Sequence, residues 1–258
     1  MKYLLQAIIV SVLFVGLTAG AGWGQTKAAG PSIDPQAEKI MQDLNAQKKK
    51  DISANFEIVD TMDEMSEAGQ MIQYSHMRKL VVSEPKRFWI ESTGDITNTT
   101  IWKDDTTFTL FDRSANAYAQ VPAPGTIDET MDMLLDTYGV TTPLADLLSD
   151  NLFAVLMKNV KTCRYLGLHY ADGIKCHHIA ATQKDIDWQI WIEDGTHLVP
   201  RKVTITYKTV ASSPQYTAVL SDWELNAHLP DVVFSALLPK DAEKIDFLKS
   251  ASEEARKP

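Results

Sequence analysis

The 258 residues carry 25 Lys and Arg against 34 Asp and Glu, a formal net charge of −9, and 45% of them are apolar. A chain this acidic is poorly suited to nucleic acid or to electrostatic adhesion on anionic lipid, both of which call for clustered positive charge. The length suits one large β domain, and neither number speaks against a buried apolar ligand.

The chain opens MKYLLQAIIVSVLFVGLTAGAGWGQ, with Lys2, an apolar run from Leu4 to Leu17, and Ala19-Gly20-Ala21 in small-x-small spacing. That is the layout of a secretory signal peptide over residues 1–21, so the chain is expected to be exported. Residues 22–33, rich in Gly, Ala and Ser, read as a flexible leader. Asp34 then offers a helix N-cap and Pro35 a first helical residue, ahead of an apolar stripe of Ala37, Ile40, Met41 and Leu44. The helix should end near the Lys48-Lys49-Lys50 run.

From Asp51 onward apolar and polar residues alternate in short runs separated by turn residues. The period of two predicts strands over about 52–60, 69–82, 86–93, 97–103, 106–111 and 115–121. Pro85, Gly94-Asp95, Asp104-Asp105 and Ser114 are among the separators. The pattern then breaks into a helical insert, 126–160. Ile127, Met131, Leu134, Leu135 and Tyr138 fall at i, i+4, i+7, i+8 and i+11, one side of a helix. Two further amphipathic segments follow, one after Pro143 with Leu144, Leu147 and Leu148, the other with Leu152, Phe153, Val155 and Leu156.

Strands resume over about 162–170, 174–181, 186–193, 200–209 and 215–226, giving about eleven in all. In DWQIWIEDGTHLVPRKVTITY, Trp188, Ile190 and Ile192 share one face with an apolar run at Val203, Ile205 and Tyr207, while Asp187, Gln189, Trp191 and Glu193 share the other. Residues 34–250 are therefore expected to form a single, mainly β domain with helices (α+β). In it a curved antiparallel half-barrel has its inner apolar face covered by the insert, and residues 251–258 form a frayed tail.

Little in the sequence points to catalysis. Cys176, His177 and His178 could bind metal, but adjacent strand residues point to opposite faces and do not readily share one ion. No H-E-x-x-H, P-loop or G-x-S-x-G motif occurs. No catalytic residue, metal or cofactor is expected. A tight turn at Asp172-Gly173 would set Cys176 opposite His169 and leave Cys163 roughly 20 Å further along at ~3.3 Å per residue, beyond the ~7 Å reach of a disulfide. Both thiols are expected to be free.

SEPKRFWIE, WKDDTTFTLFD, the short strand at Gln120-Val121 and TPLADLL come in an order that resembles the LolA/LolB family of periplasmic lipoprotein carriers. Pro85, Arg87 and Phe88 carry the first motif, Asp104, Asp105, Phe108 and Phe111 the second, and Pro143, Leu147 and Leu148 the third. The stretch DGIKCHHIAATQKDIDWQIWIEDGTHLVPRKVTITY is similar to a group of predicted periplasmic proteins assigned to that superfamily, and VVFSALLPKDAEKI resembles their closing segment. The resemblance implies a periplasmic half-barrel wrapped over helices, with a concavity that binds lipid.

The expected function is a non-catalytic carrier or chaperone for a lipid, acylated or other apolar ligand. Trp188, Ile190 and Ile192 would form the cavity wall, and Ile127, Met131, Leu134, Leu135 and Tyr138 the lid. The alternatives are an envelope sensor or interaction module with a protein partner, and a metal-dependent hydrolase. The oligomeric state is left open.

Overall fold

The computed structural model describes residues 32–140 and 144–247. The signal peptide, most of the leader, Pro143 and the tail beyond residue 250 lie outside the described residues. Among the described residues, thirteen strands form one open, curved sheet. They are β1 (Ser32–Ile33), β2 (Ser53–Met65), β3 (Met71–Ser83), β4 (Arg87–Gly94), β5 (Asn98–Lys103), β6 (Thr107–Asp112), β7 (Ala117–Pro122), β8 (Thr162–Ala171), β9 (Ile174–Thr182), β10 (Ile186–Glu193), β11 (Pro200–Tyr207), β12 (Gln215–Leu225) and β13 (Glu243–Lys244). Their spatial order is β1-β8-β9-β10-β11-β12-β2-β3-β4-β5-β6-β7-β13.

Two antiparallel meanders, β2–β7 and β8–β12, are thus joined through the pairing of β12 with β2. The eleven long strands are those expected from the alternation. The two additions are two-residue strands that pair in parallel with β8 and β7, too short for any periodicity to reveal. One of them corrects the leader: Ser32 and Ile33 are fixed against Thr162 and Cys163. The β2–β3 hairpin also runs further than expected, from Ser53↔Ser83 to Met65↔Met71. Its far end is half-exposed on both faces, so no apolar alternation marks it.

Helix α1 (Pro35–Lys48) begins where the Asp34 carboxylate accepts the Gln36 N–H at 2.8 Å, and it buries Ala37, Ile40, Met41 and Leu44, the stripe predicted for it. Helix α2 (Ile127–Tyr138) starts with a capping box, Thr126 Oγ1 accepting from the Glu129 N–H and Glu129 from the Thr126 N–H. It stops at Gly139, whose φ of 65° suits a residue without a Cβ. The rest of the insert is slighter than its sequence pattern suggested, a 3₁₀ turn at Ala145–Leu148 and a six-residue α3 (Leu152–Met157).

These elements and the inner face of the sheet bury one continuous core that includes Phe56, Leu80, Phe88, Ile179, Ile190, Ile192 and Leu220. Each such side chain contributes about 1.5–3 kcal/mol relative to exposure.

Candidate functional site

Among the described residues, the core is incomplete at the end of α1. Where α1 ends, a cavity of about 70 Å³ lies between the helices and the sheet, lined by Leu44, Phe56, Val82, Leu147, Leu148, Leu152, Val199, Pro200, Trp223 and Leu225 among others. It adjoins a polar vestibule of about 380 Å³ formed by Lys48, Lys49, Asp51, Ile52, Glu84, Asp150 and Asn151. Lys48, Asp51 and Glu84 line both spaces.

Trp223 reaches this cavity through a fault in the strand. Strict alternation from Ala218 and Leu220 would send it to the outer face. Between Ser221 and Glu224 the register with β2 shifts by one residue, and Asp222 takes a φ of 52°. The extra residue turns Trp223 inward. There it stacks on Phe56 with centroids 4.1 Å apart and planes 12° from parallel, while its indole N–H donates to Pro200 O at 3.0 Å. The apolar wall is therefore held by both packing and a hydrogen bond.

The mouth is polar. Lys48, the last residue of α1, donates to Glu84 Oε1 at 2.5 Å and to Leu148 O at 3.4 Å. One ammonium thus ties α1, the β3–β4 turn and the 3₁₀ turn together. Both partners of the ion pair are mostly buried, 19% and 17% exposed, and Glu84 Oε2 is buried with no hydrogen-bond partner. Burial pushes the Glu84 carboxyl above the usual carboxylate range against the opposing pull of Lys48, with Asp150 and Asp128 adding to the rise.

The residues expected to line a cavity are distributed differently. Trp188, Ile190 and Ile192 lie on the inner face but are 5%, 1% and 0% exposed, packed in the same buried cluster as the α1 stripe. None of them lines the cavity at the mouth, and neither do the five lid residues. In α2, Ile127 and Leu134 are buried, and Met131 and Tyr138 pack half-buried against the core. Leu135 corrects the expectation, because it is 49% exposed. The packed face follows Ile127, Thr130, Met131, Leu134 and Tyr138; at 100° per residue Leu135 sits about 80° from Ile127, beyond the edge of that stripe.

A buried polar cluster on the inner face escaped the sequence reading. Asp60 is fully buried and accepts from Arg78 Nε at 2.7 Å, with His76 Nδ1 at 3.0 Å. Arg78 also donates to Ser92 Oγ at 3.2 Å. Tyr216 is buried nearby, its phenol pushed up chiefly by burial. Gly94 packs directly against the His76 ring, and a Cβ there would stand 2.7 Å from His76 Cδ2 and 2.3 Å from Ser75 O. The signal was present: Ile58, Asp60 and Met62, like His76, Arg78 and Leu80, occupy alternate positions of one strand face.

His177 and His178 do face opposite sides of the sheet. His177 meets Tyr165 Oη at 3.1 Å and Asp194 at 3.3 Å. On the outer face His178 stacks on Trp191 at 3.9 Å, donates from Nε2 to Gln189 Oε1, and meets His169 Nδ1 at 2.8 Å. Burial pushes the His178 imidazole below its ordinary pKa. Among the described residues, no three His, Cys, Asp or Glu are grouped to hold a metal. Cys176 pairs with His169, as anticipated from the Asp172-Gly173 turn, and a register shift between Tyr165 and Gly167 sets Cys163 against Ala181. Both thiols are free and buried, and burial pushes Cys163 up to about 11.

Residues 37–248 match the sequence model of a family described as predicted periplasmic protein (DUF2092). No curated protein matches the chain. Among solved structures, an uncharacterized conserved protein from Thermus thermophilus aligns over 82% of this chain and 99% of its own, at 9% identity and a TM-score of 0.48. LprF from Mycobacterium bovis aligns over 83% and 100%, at 16% identity and a TM-score of 0.45. A LolA superfamily protein from Nitrosomonas europaea aligns over 78% and 97%, at 11% identity and a TM-score of 0.33. The resemblance to predicted periplasmic proteins drawn from the sequence agrees with the family match.

Proposed function

We propose, from the premise that the chain belongs to the DUF2092 family of predicted periplasmic proteins, that it is a non-catalytic periplasmic protein that shelters an acyl chain or similar apolar ligand. The observation that carries the reading is the apolar cavity at the end of α1, opening through a polar vestibule. The wall of the site is then Phe56, Val82 and Trp223 on the sheet, with Leu44 of α1 below the mouth and Leu147, Leu148 and Leu152 of the insert as the cover.

At about 70 Å³ the cavity is far smaller than the ~300–1,000 Å³ of small-molecule sites, so a long chain must displace part of that cover. The 3₁₀ turn and the six-residue α3 are the parts suited to move. Helices this short have little stability of their own and are held by packing and a few side-chain hydrogen bonds, such as the Phe153 N–H donating to Asn45 Oδ1 at 3.2 Å. Each methylene taken from water contributes ~0.8 kcal/mol, so fourteen carbons offer roughly 11 kcal/mol to set against ordering and association. No reactive side chain is needed.

Native mass spectrometry of the protein purified from the periplasm, followed by organic extraction, tests this reading. The expected result is an adduct that extracts as a lipid or acylated species. A clean apo mass with no uptake of a fluorescent fatty acyl probe would overturn it. One stoichiometric protein without lipid would favour a partner-binding module instead, and bound metal or ester turnover a hydrolase.

A further inference from the structure

The groups that line the vestibule are not evenly satisfied. Lys48 is engaged with Glu84 and Leu148 O, and Asp51 accepts from Gln47 and from Asn226 Nδ2 at 2.8 Å. Glu84 Oε2 has no donor, and neither the Lys49 ammonium nor the Asp150 carboxylate makes an ion pair among the described residues. The vestibule therefore offers one uncommitted cation and one uncommitted, exposed carboxylate beside a buried acceptor that lacks a donor.

We propose that the ligand is an amphiphile with a zwitterionic, amine-bearing head, its ammonium donating to Glu84 Oε2 and Asp150 and its anionic group facing Lys49 while the chain enters the apolar cavity. This rests on the apolar-ligand reading of the same site and adds the head group. Charge decides it. A free fatty acid brings only an acceptor, which leaves Glu84 Oε2 unpaired and adds a carboxylate to the three of Asp51, Glu84 and Asp150. An ammonium beside a buried carboxylate makes the stronger, charge-assisted kind of hydrogen bond. The volume agrees, because about 380 Å³ lies within the ~300–1,000 Å³ of small-molecule sites.

The experiment measures binding of three probes of equal chain length, each below its micellar concentration. The probes are lysophosphatidylethanolamine, lysophosphatidylglycerol and the free fatty acid, read by change in tryptophan fluorescence. The expected result is that the ethanolamine head binds about tenfold more tightly than either anionic probe, the scale of one charge-assisted hydrogen bond. Asp150→Asn, at an exposed position, should reduce that ratio severalfold, and Glu84→Gln should bring it near unity, each read on a variant that still melts cooperatively. Equal or tighter binding of the fatty acid, or a ratio untouched by Asp150→Asn, overturns the head-group proposal and leaves the apolar site standing. If none of the three probes binds, the apolar-ligand reading itself fails.

Discussion

The two ends of the inner face are built to different standards. Across β8–β11, Ile179, Ile190 and Ile192 are at most 1% exposed, and Cys163 is wholly buried beside the start of α1. At the mouth, where β2, β3 and β12 meet the end of α1, the packing gives way to a cavity, an ion pair and an orphaned carboxylate oxygen. The same sheet thus supplies a closed core at one place and an incomplete one at another. In the proposed reading, the β8–β11 end is filled core, and the mouth is where a ligand would be accommodated by displacing the short helices of the cover.

That contrast is most directly broken at Ile190. Ile190→Ala should cost about 2–5 kcal/mol of stability, read as a shift of the urea unfolding midpoint, while the folded protein keeps its affinity for an acyl probe. Loss of affinity in a still-folded variant would move the binding site to β10. Leu147→Ala truncates a half-buried residue of the cavity wall. It should cost only about 1 kcal/mol, near the centre for point mutants, and should tighten acyl binding by enlarging the cavity. Weaker binding would mean that Leu147 contacts the ligand and does not merely cover it.

The third test is a pH series. The folded pKa of Glu84 is raised, so its contribution to stability is fully present below the unfolded value near 4.5 and is lost as pH rises through the folded value. Glu84→Gln lacks that loss. Its stability relative to the parent should therefore rise with pH across that window and stay level below it, as read from urea titrations at successive pH values. A difference independent of pH would remove Glu84 from the buried mouth. The smallest effect belongs to Leu135→Ser, expected to stay within about 0.5 kcal/mol in stability and to leave binding unchanged. A larger loss of binding would restore the lid reading of α2.

The alternation in the sequence was enough to locate the eleven long strands and the inner faces of β10 and β11, and the stripe of Ala37, Ile40, Met41 and Leu44 gave α1, because burial on one side imposes a period on the residues. The cavity could not be read the same way. Trp223 reaches it through a one-residue bulge that reverses the alternation, and Lys48 and Glu84 meet there from positions 36 residues apart. Trp188, Ile190 and Ile192 have the composition of a cavity wall, yet whether such a face is lined or filled depends on α1, whose stripe shares their buried cluster. Sequence periodicity identifies which residues face inward without giving the volume left between them.

The central claim is that a chain enters beside Trp223 and not beside Trp188. Titrating an acyl amphiphile brominated along its chain into the parent, Trp223→Phe and Trp188→Phe proteins tests it, since bromine quenches only indoles it approaches closely. The account predicts that quenching survives in Trp188→Phe and is largely lost in Trp223→Phe. Quenching retained in Trp223→Phe and lost in Trp188→Phe would place the ligand over β10 and contradict it.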